Sequence, residues 1–480
     1  MRLSAYVYVI FISTLIFGSF IGSLPLLLYD EPYYLSTGYS AFTLIKTHLL
    51  GAAFPAGGLL FFLFPFLLKF WGSLFQFDFL FCRFFSVLLG VCSGCYFYAL
   101  LSRLVHSLFM RWILLIGFIT ANTTFIVFRI IRPEALLLSL FVIFCYYLLV
   151  YFQTFSIYSI VFVGLLIPLV GFTNGTGLIL GFILFSLIFL ALLCDRKTKP
   201  FFIFLLSTVF MNCIIIISMS VYLSMTPIEM ASSLLSSGRT SFIAPINWAI
   251  FSNHYVMGYY RLYIVVFEFS VLFIGLYLLR RSLFKLIFPL STLLYFFTSF
   301  LFIVPFWRFY YVIIPAGTLI TFALLIHHYL HRFSFSFRRG IFICLLFYVL
   351  NHLAGDVYLV QKHLTKASFS DIQKFLNIHI SKNHTILASH YFLPFFIHQP
   401  FFVSYDALAP SDFSPFVVGV TTTRSMSISS TDQRPFAHFK ASNDVNQSFV
   451  DTNKSVLASK AFPGYGTISI WKIMPPPVSR

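Results

Sequence analysis

AYVYVIFISTLIFGSFIGSLPLLLYDEPYY, residues 5–34, is an apolar run that ends abruptly at two adjacent carboxylates, Asp30 and Glu31. A bilayer is crossed by about 20 apolar residues in a helix, so this run is long enough to span. Arg2 precedes it and no small-residue cleavage pattern follows, so the expectation is a retained span over residues 5–28 rather than a removed leader. Asp30 and Glu31 then stand where the chain leaves the membrane, a position in which a carboxylate can act on the headgroup of a lipid.

The rest of the chain repeats the first pattern. Hydrophobic residues make up 59% and charged residues 9% of the sequence, too little charge to cover a water-soluble surface of this size. Further spans are expected near 79–101, 112–128, 134–152, 157–172, 175–194, 201–225, 262–280, 284–304, 309–330 and 340–358. The fold class is therefore an α-helical polytopic membrane protein with about eleven transmembrane helices. The formal charge of +17 is read through topology, since the basic residues flank spans and form no basic stripe that would suit nucleic acid. The 66 phenylalanines are read as lipid-facing bulk.

Short cytoplasmic loops carry an excess of Lys and Arg. With the N-terminus inside, alternate loops hold Arg103 and Arg111, then Arg196, Lys197 and Lys199, then Arg280, Arg281 and Lys285, then Arg332, Arg338 and Arg339. That arrangement puts Asp30, Glu31, the 129–134 connection, the 226–261 loop, the turn at 305–308 and the C-terminal region outside. It also decides how PAGGLLFFLFPFLLKFWG, residues 55–72, is read. As a further span it would invert every later loop, so it is expected to be a juxtamembrane or re-entrant helix in the first outer loop, beside an amphipathic helix near 33–48.

From about residue 361 the long apolar runs stop and Ser, Thr, Asn, Asp and Pro rise. Residues 1–360 are read as the transmembrane domain and 361–480 as a small α/β domain outside the membrane. SFSDIQKFLNIHI has an N-cap serine and helical spacing, while HTILASH and YGTISIWKI read as strands; 411–455 is expected to be largely loop.

All seven cysteines lie within or beside expected spans. Cys92 and Cys95 form a C-x-x-C, which in an apolar helix is two small residues on one face rather than a redox site. His327, His328 and His331 beside Arg332 read as a wet basic flank rather than a metal site. The N-x-S/T triplets at Asn383, Asn446 and Asn453 bear on glycosylation only in a secretory eukaryotic setting.

Chemistry has to come from polar groups that apolar surroundings make costly. On the expected outer face these are Asp30, Glu31, Lys46, His48, Lys69, Arg83, Arg129, Arg132, Glu134, Arg239, His254, Arg261 and Arg308. A carboxylate can take a proton from an acceptor hydroxyl or hold a metal, and guanidinium groups can neutralise a phosphate leaving group. The combination suits transfer of a sugar from a lipid phosphate. Such a donor needs no nucleotide, and the chain has neither a P-loop nor a G-x-G-x-x-G.

The order of these features resembles the C-type (GT-C) glycosyltransferase superfamily, in the branch of the aminoarabinose transferases and protein O-mannosyltransferases. YDEPYY resembles the acidic-aromatic opening of the family's first outer loop, and AAFPAGGLLFFLF its proline-containing juxtamembrane stretch. DFLFCRFFSVLLG resembles the segment entering the second span, RPEALLLSLF its R-P-D/E entry, and WRFYYVIIPAGTLI its late R-Y span. The resemblance covers residues 5–330. It implies that Asp30 is the general base or metal-associated carboxylate with Glu31 beside it. It also implies that Arg83, Arg132 and Arg308 contact phosphate, that Glu134 is a second acidic position, and that Tyr33 and Tyr34 shape the sugar pocket. Aminoarabinose transferases carry a lysine before the proline where this chain has Ala53 and Phe54; Lys46, His48 and Lys69 are the candidates to replace it.

The function so implied is a polyprenyl-phosphate-sugar-dependent glycosyltransferase at the outer face of a bacterial inner membrane, with the N-terminus cytoplasmic and the C-terminal domain periplasmic. Its partners would be the polyprenyl-phosphate-linked donor, membrane lipid, and a lipopolysaccharide, other glycan, lipid or protein acceptor, with no nucleic acid. A divalent cation, held by Asp30 if present, is left open. The alternatives are a transporter or flippase of lipid-linked glycans, which would place charges at mid-span, and a non-catalytic scaffold.

Overall fold

The computed structural model describes residues 2–22, 31, 34–35, 63–195, 198–223, 226, 228, 262–302, 308–329, 332, 334–380, 386–388, 402–404, 416–421, 454–462 and 466–473. The chain divides into two compact units, residues 1–19 with 54–357 and residues 20–53 with 358–480.

The first unit is helical. Its elements are α1 (Arg2–Gly18), α2 (Leu63–Leu74), α3 (Phe79–Leu104), α4 (Leu108–Thr120), α5 (Asn122–Val127), α6 (Pro133–Thr154), α7 (Ile157–Gly171), α8 (Gly175–Cys194), α9 (Thr198–Leu223), α10 (Leu262–Leu279) and α11 (Leu283–Phe302). A 3-10 turn at Arg308–Val312, α12 (Ile313–Tyr329) and α13 (Phe335–Leu364) complete it. Among the described residues, seven helices are long and apolar enough to cross a membrane, namely α3, α6, α8, α9, α11, α12 and α13; α1, α2, α4, α7 and α10 are shorter apolar helices. The chain is a multi-pass membrane protein.

Several boundaries differ from those read off the apolar runs. The span expected over 5–28 ends as a helix at Gly18. The Ser19 N–H still bonds the Leu15 carbonyl at 3.0 Å, but Phe20 takes a left-handed φ of 56°, a conformation that closes a helix. Apolar composition continues past the point where the backbone turns. The span expected over 112–128 is two helices, α4 and α5, broken where Ala121 turns to ψ 121°. The Asn122 N–H goes out of the helix to His352 Nδ1 at 3.2 Å, a partner 230 residues away that no local pattern announces. Within 55–72 the described residues, from Leu63 on, belong to α2; residues 55–62 lie outside the described set, as does most of the amphipathic helix expected near 33–48.

The most enclosed helices are α6 and α12. α6 packs against α3, α7 and α12. In lipid there is no hydrophobic drive between helices, so close packing and shared hydrogen bonds hold them. Ser93 on α3 donates to Ser139 on α6 at 2.8 Å, and Ser139 donates to the Ala135 carbonyl of its own helix at 2.8 Å. Ser86 on α3 donates to the Ile130 carbonyl at 2.7 Å, which ties α3 to the connection between α5 and α6.

Gly90 sets that connection's distance from α3. A Cβ there would lie 2.7 Å from Phe128 Cγ and 2.8 Å from Phe17 Cδ2. Those two rings already pack on each other with centroids 5.0 Å apart. Gly90→Ala is therefore expected to lower stability by about 1–3 kcal/mol through overpacking, read as earlier loss of the monodisperse detergent-solubilised protein on heating. An unchanged midpoint would show that Phe17 and Phe128 shift without strain.

The second unit contains α14 (Phe369–His379) and a five-stranded sheet of order β2-β1-β3-β5-β4, with β1 Ile386–Ala388, β2 Phe402–Ser404, β3 Phe416–Thr421, β4 Lys454–Phe462 and β5 Gly466–Ile473. β1 pairs parallel with both β2 and β3, while β5 lies antiparallel between β3 and β4. α14 starts at a capping box: Ser368 Oγ accepts from the Asp371 N–H at 3.3 Å, and Asp371 Oδ2 accepts from the Ser368 N–H at 3.0 Å. The bonds donated by the Ser368 hydroxyl and N–H hold the Asp371 carboxyl below its usual range, so the cap loosens only as pH falls through that lowered value. The stretch 411–455, expected to be largely loop, contains the strand β3 in the middle of the sheet order and leads into β4; residues 422–453 lie outside the described set. The alternating FVVGVT of β3 is short, and its two neighbours in the sheet, β1 and β5, complete it from both sides.

Candidate functional site

The sequence FRIIRPEA, residues 128–135, builds the best-defined polar cluster. Arg132 is the N-cap residue of α6, extended at φ −147° and ψ 144°, and Pro133 occupies the first helical position, where its missing N–H leaves nothing unsatisfied. Glu134 therefore falls in the first turn, where the helix dipole favours a carboxylate. Arg132 grips it in two places, Nε to Oε2 at 2.9 Å and Nη2 to Oε1 at 3.3 Å. The pair is buried, with side chains 4% and 1% exposed.

A second helix N-terminus reaches the same carboxylate. Asn174 caps α8, its Oδ1 accepting from the Gly177 N–H at 2.7 Å and from the Thr176 hydroxyl at 3.0 Å. Its amide nitrogen is left pointing away from α8 and donates to Glu134 Oε1 at 3.2 Å. Tyr295 of α11 lies within electrostatic range of Glu134, and its hydroxyl donates to the Tyr310 carbonyl in the 3-10 turn at 2.8 Å. The turn that begins at Arg308 is thus joined, through Tyr295, to the neighbourhood of Glu134.

Two further arginines surround the α5–α6 connection. Arg83 lies on the first turns of α3, started by Asp78, whose carboxylate accepts from the Leu80 and Phe81 N–H groups at 2.9 and 3.1 Å. Its guanidinium stacks 4.4 Å from the Phe79 ring centroid. Arg129 stacks at 4.4 Å over Phe125, donates through Nη2 to the Ser19 carbonyl, and is close enough to Arg83 and Asp356 to interact with both charges. Its buried Nε has no hydrogen-bond acceptor among the described residues. Arg83, Arg129, Arg132 and Glu134 are all buried, each on or beside the 128–134 connection.

The other expected site residues stand differently. Glu31 is helical and fully buried, and Tyr34 is half-buried; both belong to the second unit. Asp30 and Tyr33 lie outside the described residues, as do Lys46 and His48. Arg308 opens the 3-10 turn. Among the described residues no group of three or more His, Cys, Asp or Glu side chains comes together to hold a metal.

Two acidic groups lie within helices rather than at their ends: Glu268 inside α10 and Asp356 inside α13, at 0% and 4% exposure. Each is a lone acidic residue in an apolar helix, which by itself marks a place where the protein supplies polar partners. The partners lie far away in the chain: Tyr311 and Tyr348 donate to Glu268 across 43 and 80 residues.

No protein-family model matches the sequence, and no curated protein sequence matches it. Solved structures do. The fold superposes on ArnT of Cupriavidus metallidurans in the apo state with a TM-score of 0.60, at 12% identity and over 98% of both chains. ArnT of the same organism bound to undecaprenyl phosphate gives a TM-score of 0.59, again at 12% identity and 98% of both chains. This chain therefore has the fold of ArnT.

Proposed function

We propose that the protein is an integral-membrane glycosyltransferase that moves a sugar from a polyprenyl-phosphate carrier to an acceptor at the outer face of a bacterial inner membrane. The observation that carries the reading is the burial of three arginines around one short connection, one of them with a buried N–H that meets no acceptor among the described residues, in a fold shared end to end with a protein that binds undecaprenyl phosphate. Clustered guanidinium groups in a low-dielectric site attract an anion strongly, and a phosphate leaving group gains charge as the sugar departs.

In this reading Arg83, Arg129, Arg132 and Arg308 bind the carrier phosphate. Two of the five guanidinium N–H groups of Arg132 go to Glu134, which holds that side chain in one orientation and leaves its positive charge shared with the arriving phosphate. Asp30 takes the proton from the acceptor hydroxyl or amine, or holds the cation if one takes part, with Glu31 next to it, and Tyr33 and Tyr34 shape the sugar pocket. The N-terminus is cytoplasmic and residues 361–480 are periplasmic, as the Lys and Arg flanks indicate. A lipopolysaccharide, another envelope glycan, a lipid or a protein is the acceptor.

Glu268 and Asp356 inside α10 and α13 favour a second reading, transport of a lipid-linked glycan. The discriminating experiment incubates membranes containing the protein with labelled polyprenyl-phosphate sugar and envelope acceptors. Label is expected in the acceptor, with release of polyprenyl phosphate. Movement of a lipid-linked glycan across the bilayer with no donor consumed would overturn the transferase reading in favour of the transporter.

A further inference from the structure

A second polar network, separate from the Arg132–Glu134 pair, runs through the helical unit. At its centre is Glu268 of α10, fully buried. The Tyr311 hydroxyl donates to Glu268 Oε2 at 2.6 Å and the Tyr348 hydroxyl donates to Oε1 at 2.8 Å. Tyr311 belongs to the 3-10 turn Arg308–Val312, and Tyr348 to α13. The network continues along α13: the Tyr348 ring meets the His352 ring edge-on at 4.5 Å, and His352 Nδ1 lies 2.7 Å from Asn122 Oδ1 at the start of α5. Gly355 makes room for Asn122, whose amide a Cβ at that position would overlap.

An acidic side chain within a membrane span is costly unless it finds polar partners, and two phenol hydroxyls donate to this one. The consequence falls on the turn. A 3-10 segment has poor internal hydrogen bonding and depends on outside anchors. Arg308–Val312 is anchored by the Tyr311 bond to Glu268 and by the Tyr295 bond to the Tyr310 carbonyl. Arg308 is the first residue of that turn.

We propose that Glu268 is a positioning residue for donor binding: through Tyr311 its side chain fixes the turn that begins at Arg308, and through Tyr348 it braces that turn against α13. The inference rests on the glycosyltransferase reading, in which Arg308 meets the carrier phosphate. Glu268 touches no reacting atom. Its loss should weaken phosphate binding while leaving the chemical step nearly intact, because a displaced guanidinium lowers affinity before it alters the reacting groups.

The test titrates undecaprenyl phosphate into the purified full chain in detergent, and measures transfer kinetics alongside. Wild type is expected to bind. Tyr311→Phe, which removes one hydroxyl and leaves the ring, and Glu268→Ala are each expected to weaken binding by about tenfold and to raise donor KM by a similar factor with kcat within about threefold. Tyr348→Phe should cost less, since Tyr311 remains bonded. Glu268→Gln should recover most of the affinity, its amide oxygen still accepting from Tyr311. Glu268→Ala combined with Tyr311→Phe should be no worse than the weaker single variant, because both cut the same link. Wild-type binding with unchanged affinity in Tyr311→Phe, or an additive double variant, overturns the inference alone. If wild type does not bind undecaprenyl phosphate, both the inference and the transferase reading fall. If Glu268→Ala does not fold, Tyr311→Phe and Glu268→Gln decide the matter.

Discussion

Asp30→Asn is expected to reduce sugar transfer by about 10²–10⁴-fold, the usual contribution of a positioned general base. That factor corresponds to about 3–5 kcal/mol of barrier. Asn keeps the size and one acceptor oxygen of the side chain but neither its charge nor its basicity, so the acceptor hydroxyl is bound and not deprotonated. The expected signature is a fall in kcat at near-normal donor affinity, at matched protein levels in membranes. Glu31→Gln supplies the contrast. Glu31 is fully buried, and its replacement is expected to cost less transfer than that of Asp30. Equal retention of activity in both variants would remove the base from this pair of residues. Collapse of both would assign the two carboxylates to one shared function, such as holding a cation.

Much of the helical framework was legible because long apolar runs and basic flanks are additive signals. Pro133–Thr154, Gly175–Cys194 and Leu262–Leu279 stand within about two residues of the expected spans. The departures arise where the backbone turns within apolar sequence. Phe20 ends α1 by a left-handed conformation, and the breakers around it in GSFIGSLPLLL, Gly18, Gly22 and Pro25, sit inside a run whose hydropathy continues unbroken. Ala121 separates α4 from α5 at the point where the Asn122 N–H meets His352. A contact across 230 residues has no trace in a local window.

The site shows the same division. Arg83, Arg132 and Glu134 were legible as charges in apolar surroundings, and the structure draws them to one connection. Arg129 was visible among the outer-face charges, yet its importance depends on its buried Nε and its nearness to Arg83, both tertiary facts. Asn174 had no signal at all: a lone Asn before GTGL reads as a helix cap, which it is, and only the fold shows its other end on Glu134. Glu268 has a signal in the sequence, a lone acidic residue in LYIVVFEFSVLF. Its two tyrosine partners could be found only in space.

Removing the Glu134 carboxylate is expected to be the most damaging single change to the fold. Glu134→Ala leaves Arg132 buried with its bidentate partner gone, and breaking a buried pair on one side costs about 3–5 kcal/mol. The loss is aggravated here, because Arg83 and Arg129 already place positive charge around the same connection and the N-terminus of α6 adds a partial positive charge of its own. Asn174 also loses the acceptor for its amide. Glu134→Gln separates these terms. Its amide oxygen can still accept from Asn174 or Arg132, so it should retain the hydrogen bonds in part while deleting the charge. The expected order of thermal stability in detergent is wild type above Glu134→Gln above Glu134→Ala, with Arg132→Met falling below Glu134→Gln because it strands a buried carboxylate. Undecaprenyl phosphate should raise the melting temperature of Glu134→Gln more than that of wild type, since an arriving phosphate restores the anion that the arginines have lost. Equal stabilisation of the two proteins would mean that the phosphate and Glu134 do not share the arginine cluster, and would move the donor site elsewhere in the fold.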